Sequence, residues 1–208
     1  MGRLQEIFGP NREQVWRQLA REIGATYVDS GSWRGFLGRG GKVEAKVKAW
    51  TVTLDTYTVS TGKSSATFTR MRAPYVNPDG FRFKVYRKGI FSGIAKKLGM
   101  QDLEVGEREF DDAFIVQGNE ESKVFALLAA PGLRQMMLAQ PAFYLEVKDS
   151  EGFFGPKFPK DVDELYFQVG GVVRDITVLK GLFDLFAEVL NTLCHIGSAY
   201  ENDPQLAL

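Results

Sequence analysis

The sequence has little redox or imidazole chemistry: 208 residues hold a single cysteine, Cys194, and a single histidine, His195. One cysteine excludes an internal disulfide and suits a reducing compartment. No run of about 18 apolar residues occurs, so no membrane-spanning helix is expected. The opening MGRLQEIFGPNREQ lacks the apolar core of a secretion signal. These absences together predict a cytoplasmic protein. Internal repeats and low-complexity linkers are absent as well.

Net charge is also absent, with 26 basic and 26 acidic residues. The balance is not local. Residues 1–100 carry 18 Lys and Arg against 7 Asp and Glu, and residues 101–208 carry 8 against 19. A basic half can bind a polyanion. The plainer expectation is that the halves pack together and partly neutralise each other, because segments distant in sequence pack together in one fold.

The chain does have ample apolar material: 44% hydrophobic residues, including 16 Phe, 7 Tyr and 3 Trp. That suffices for one domain over residues 1–208. Its first part, 1–99, reads as a helix followed by a basic β-meander, and 100–208 as an acidic β-α-β-β-α half. Asn11 with Gln14 forms a capping box, and Val15, Trp16, Leu19, Ala20 and Ile23 repeat at helical spacing up to Gly24. A short strand at Thr26–Val28 follows. Residues 31–41, with five glycines, read as a loop.

From Lys42 to Lys88 the period becomes two. Val43, Ala45 and Val47 alternate with charged residues, as do Trp50, Val52 and Leu54 with polar ones. Strands are expected at 66–76 and 81–87, joined by the turn Asn77-Pro78-Asp79-Gly80, in an antiparallel meander with one buried face. A short amphipathic helix is expected near 91–98. The second half predicts a strand at 113–117, a helix from about Glu120, a break at Pro131, and strands at 142–147 and 165–169. A long helix capped by Asp175 then buries Ile176, Leu179, Leu182, Phe183, Phe186, Val189, Leu190 and Leu193. The tail SAYENDPQLAL reads as loose.

Gly62-Lys63-Ser64 copies the end of a phosphate-binding loop. The full motif needs a glycine five positions before Gly62, where Tyr57 stands. It also needs a helix after the loop. Here Thr-rich strands flank it, so a hairpin turn is expected. Glycines 35, 38, 40 and 41 miss both this motif and the dinucleotide fingerprint.

The basic run is the main binding candidate. Arg70, Arg72, Arg82, Lys84, Arg87 and Lys88 come close together, with only Asp79 of opposite sign between them. Alternation puts Arg70 with Arg72 on one strand face, and Arg82 with Lys84 on another. Such a plate could hold an anionic ligand, a lipid headgroup layer or nucleic acid; the stacking aromatics of an RNA-reading sheet are missing. The competing expectation is an ordinary charged sheet face neutralised by the second half. Trp33, Phe36, Phe153 and Phe154 are loop aromatics that suit a partner or surface contact. Cys194 and His195 point about 100° apart on a helix and do not face each other. The acidic run Asp102, Glu104, Glu107, Glu109, Asp111 and Asp112 lacks calcium-loop geometry and reads as a solvated connector that pairs with the basic meander. No metal or other cofactor is expected.

The segments LEVGEREFDDAFIVQGNEESKVFALLAAPGLRQMM, AFYLEVKD and DELYFQV resemble a family of bacterial proteins of unknown function. The shared pattern is Glu109-Phe110 before a strand, Phe114–Gly118 at a β-turn-α step, Pro131 ending a helix, and Glu164-Leu165-Tyr166. The resemblance spans about residues 102–171, with a similar meander upstream, and implies a fold block without catalytic residues. Phe110, Phe114, Leu165 and Tyr166 read as core, and Gly118 as a positive-φ turn residue.

The fold expected is α+β: a mainly antiparallel sheet, the first and last helices packed on one face, and the β-turn-α block added to it. The function expected is a non-enzymatic binding or scaffold module that contacts a protein partner or itself. An anionic-ligand or membrane-surface binder using the basic meander is the alternative. A carboxylate-dependent enzyme centred on Asp111 and Asp112 is the second alternative.

Overall fold

The computed structural model describes residues 11–29, 40–60, 62, 64–89, 102–140, 144–150 and 158–206. Residues 30–39, 90–101 and 151–157 lie outside these, and with them the expected helix near 91–98 and the loop aromatics Trp33, Phe36, Phe153 and Phe154.

Helix α1 is Arg12–Glu22. Its capping box forms as expected: the Gln14 N–H donates to Asn11 Oδ1 at 2.9 Å, and the Asn11 N–H donates to Gln14 Oε1 at 3.2 Å. Gly24, at φ +67°, adopts the left-handed conformation just past the helix end. Strands β1 Thr26–Val28, β2 Lys42–Val47, β3 Trp50–Ser60, β4 Ser65–Val76 and β5 Phe83–Arg87 follow. The second half supplies β6 Asp102–Leu103, α2 Arg108–Ala113, β7 Phe114–Gly118, α3 Glu121–Leu128, α4 Pro131–Leu138, β8 Tyr144–Lys148, β9 Val162–Gly170 and α5 Ile176–His195. Pro131 opens α4 at its first turn, where no N–H is required of it.

The nine strands form one antiparallel sheet in the order β1-β2-β3-β4-β9-β8-β5-β7-β6. The α+β class and the antiparallel sheet are as expected, but the meander stops at β4. β9 and β8 insert between β4 and β5. The turn at Asn77 reverses the chain without closing a hairpin, because it is tied to β9. Asn77 is buried, and its Nδ2 donates to Asp163 Oδ2 at 2.7 Å and to the Phe81 carbonyl at 3.0 Å.

α1 and α5 lie on the same face of the sheet. Val15, Trp16 and Leu19 from α1, and Leu182, Phe186 and Leu190 from α5, share a core with Val43, Leu54, Met71 and Phe167. α3 and α4 add Val124, Leu127, Leu133 and Met137 over Val85 and Val116. Each such side chain contributes about 1.5–3 kcal/mol by leaving water. The tail is held rather than loose. Ser198 Oγ donates to Asp79 Oδ2 at 2.9 Å, the Tyr200 N–H donates to the Val76 carbonyl at 3.2 Å, and Lys46 and Thr51 both donate to Asp203 Oδ2. No helix among the described residues is long and apolar enough to cross a membrane.

Candidate functional site

Strand alternation sends a second set of side chains to the face away from the helices, and the basic strands contribute to it. Arg70 and Asp55 are cross-strand partners and form a bidentate pair, both contacts at 2.7 Å. Arg72, 5% exposed, reaches the same carboxylate at 2.8 Å. Burial pushes the Asp55 pKa up. The Arg70 hydrogen bonds and the Arg72 charge more than offset that and hold it below the usual carboxylate value. Lys84 pairs with Glu146 at 3.3 Å. Lys148 sits 3.6 Å over the Tyr166 ring and 3.2 Å from Glu164, which is fully buried.

Tyrosines fill the spaces between these pairs. The Tyr166 hydroxyl donates to Gln168 Oε1 at 2.9 Å, and the Tyr57 hydroxyl donates to the same oxygen. The Tyr144 hydroxyl donates to Glu146 Oε2 at 2.9 Å. Burial, aided by Tyr57 at one site and Glu146 at the other, drives both the Tyr166 and Tyr144 pKa values far up, so they are neutral donors. The result is a largely shielded polar layer in which Arg70 and Arg72 share Asp55 of their own half, Lys84 meets Glu146 of the second half, and Lys148 meets Glu164.

Of the six predicted basic residues, the layer gathers Arg70, Arg72 and Lys84. Arg82 turns to the sheet end and pairs with Asp163 at 3.1 Å and Asp149 at 3.0 Å. Arg87 lies on the helix side, donating to the Leu138 and Gln140 carbonyls at the end of α4. Lys88 donates to the Asp111 carbonyl. The acidic run 102–112 was expected to neutralise the meander. Asp55, Glu146 and Asp163 do so instead: register places Asp55 opposite Arg70 and Glu146 opposite Lys84, while Asp163, opposite Tyr75 on β4, is reached by Arg82 from the segment before β5.

The other candidates separate. Both Asp111 carboxylate oxygens accept backbone N–H bonds, from Val105 at 2.8 Å and Gly106 at 2.9 Å, and Asp112 is an exposed partner of Arg108. Burial raises the Cys194 pKa, and the His195 Nδ1 lies 2.8 Å from the Asn191 carbonyl. No group of three or more potential metal ligands occurs among the described residues.

Two features were missed in the sequence. A groove of about 350 Å³ runs between α1, β2 and α5, floored by Ile23, Ala45, Val47 and Phe183 and crossed by the Lys180–Glu22 pair at 2.7 Å. The other is a ribbon. β2 leaves β3 at Leu54, and β9 leaves β4 at Phe68, so the rest of the β3–β4 hairpin stands clear of the sheet. β3 and β4 pair antiparallel as far as Ser60 opposite Ser65, as expected for two strands of a hairpin. Tyr57 stacks on Phe68 at 5.2 Å, and Thr58 and Thr67 share a hydroxyl hydrogen bond at 2.9 Å. Thr58, Ser60, Ser65 and Ala66 are exposed, and Val59 is 43% exposed. The available signal was the uncharged run from Thr56 to Gly62.

No protein-family model matches the chain, and no curated protein is similar to it. Among solved structures, the chain is similar to the crystal structure of the mycobacterial trehalose monomycolate transport factor A, TtfA. The TM-score is 0.50 at 9% identity, over 87% of this chain and 95% of that one. At that identity the likeness shows a shared fold alone.

Proposed function

We propose that the protein is a non-enzymatic cytoplasmic binding or scaffold module that engages a protein partner through the β3–β4 ribbon. The observation that supports this is the far end of the ribbon, where Thr58, Val59, Ser60, Ser65 and Ala66 are exposed and uncharged, beyond Thr56, which is buried and accepts from Arg12. Unpaired, β-prone edges of this kind invite strand pairing unless they are blunted by charge or proline. The polar layer beneath supplies a stiff base, since Tyr57 is tied to Gln168 on β9 and Arg70 lies 5.1 Å over its ring.

The anionic-ligand reading has less behind it. A phosphate approaching Arg70 and Arg72 competes with Asp55, and one approaching Lys84 competes with Glu146. Two measurements test the proposal. In pull-downs from native extract, the wild-type chain should retain specific proteins that Val59→Lys loses; equal retention by both sinks the ribbon reading. Flotation with anionic vesicles at low salt should leave the protein unbound. Salt-sensitive binding abolished by Arg70→Glu and Lys84→Glu would favour the anionic reading instead.

A further inference from the structure

We propose that the groove between α1, β2 and α5 binds a small primary amine with a short apolar body. The groove lies at the Val47 end of β2, whereas the ribbon starts beyond Leu54, opposite Val43. The two sites are therefore independent, and failure of this one leaves the ribbon reading untouched.

The groove exists because the sheet is incomplete here. β1 stops at Thr26 opposite Glu44, so Ala45, Lys46 and Val47 have no strand on that side among the described residues. The chain before Thr26 has already turned into α1. Gly24, at φ +67°, ends that helix, and the Ala25 N–H bonds back to the Ala20 carbonyl at 2.8 Å. On the opposite wall α5 presents Ala187, whose single methyl leaves the space open. Ala45 and Phe183 are buried at the floor, and Ile23, Val47 and Ala187 are half-buried around it. The volume of about 350 Å³ falls at the small end of ligand sites, roughly 300–1,000 Å³.

Charge selects the ligand. Four charged residues line the groove: Glu22, Lys46, Lys180 and Asp184. Three are engaged. Lys46 is bound to Asp203 at 2.6 Å, and Lys180 to Glu22 at 2.7 Å. Asp184, exposed and one turn along α5 from Lys180, has no ion pair among the described residues. An ammonium meets Asp184 without breaking an existing pair. A carboxylate on the same body faces Asp184 as a like charge and has to take Lys180 from Glu22. A neutral head gains the apolar contact alone. The Lys180–Glu22 pair also joins the two walls across the groove, which narrows the approach of an ammonium carried on a partner's backbone. A free small amine needs no such clearance.

The test is an amide-resolved NMR titration of the full chain with n-hexylamine, n-hexanol and hexanoate at neutral pH. The amine should shift the amides of Ile23, Ala45, Val47 and Ala187 together, with a dissociation constant on the order of 1 mM for so small a ligand. It should bind about two- to fivefold tighter than the alcohol, the range of an exposed ion pair, and hexanoate should bind weakest. Asp184→Asn changes an exposed side chain, so circular dichroism and melting should match wild type. In that variant the amine should bind no tighter than the alcohol. A blocked tripeptide, Ala-Lys-Ala, should shift these amides less than n-hexylamine does. No shift at these positions overturns the proposal. So does hexanoate binding as well as the amine, or an amine preference that survives Asp184→Asn. A tripeptide that binds tighter than the free amine overturns it too, in favour of a lysine side chain from a partner protein.

Discussion

Asp55 shows most directly how one side chain organises its surroundings. It is the carboxylate shared by Arg70 and Arg72, and Arg72 is nearly buried. Removing one partner of a shielded ion pair strands the other charge. Asp55→Ala should therefore cost about 3 kcal/mol in urea unfolding, and Asp55→Asn somewhat less. Gly118 is a second case, and its expected role was wrong. It does not adopt a positive φ; a Cβ there would lie 2.3 Å from Val124 Cγ2 and 3.4 Å from the Arg82 carbonyl. Val124 is fully buried and β-branched, so it cannot swing aside. Gly118→Ala should cost about 2 kcal/mol by overpacking, read as a lower denaturation midpoint. The glycine was legible as special, but the reason was not, since it depends on a helix packing back onto its own strand.

At the scale of elements, helices were the easiest to read. The caps of α1 and α5 use neighbours two or three residues away, so the sequence contains both partners. Asp175 Oδ1 accepts from the Thr177 and Val178 N–H groups at 2.8 and 3.1 Å. Asp175→Ala should lower stability by about 1 kcal/mol, seen as a lower melting temperature. Strands were legible as strands, because alternation is local. Their neighbours were not. Two strands, β9 and β8, separate β5 from β4 in the sheet, although only a short turn separates them in the chain. Turn residues such as Asn77 and Gly80 specify a reversal, and the partner of the returning strand is chosen by long-range packing. The ribbon was hidden for the same reason: the Thr-rich strands were visible, but their projection depends on where β2 and β9 stop.

For the whole molecule, the two oppositely charged halves interleave in one sheet and cross-neutralise: Lys84 with Glu146, Arg82 with Asp163, Lys46 with Asp203, Lys123 with Asp79. This sets the pH response. Asp55, Asp79 and Asp203 are each pushed up by burial and pulled further down by their cationic and hydrogen-bonding partners, to net values below the ordinary 3.8. A lowered carboxylate stabilises the fold above its unfolded value, and that contribution is lost as pH falls through the folded value. Stability should thus hold from neutral pH down to about pH 5 and decline below about pH 4. Tyr144 and Tyr166 act at the other end. Their raised values give stability that is complete below pH 10 and lost as pH rises beyond it. Thermal melts across the range should show both shoulders; a midpoint independent of pH below 4 would contradict the acid assignment.

The sequence by itself determined where helices and strands lie, where the chain turns, and which side chains of each element are apolar. Those properties are settled by residues within about four positions of one another. Tertiary structure alone decided that Asp55, not the acidic run 102–112, holds Arg70 and Arg72, that Arg87 leaves the basic plate for α4, and that β3 outruns its neighbour. Each of these depends on register between segments up to about a hundred residues apart, where burial of one sheet face selects the pairing and local chemistry has no vote.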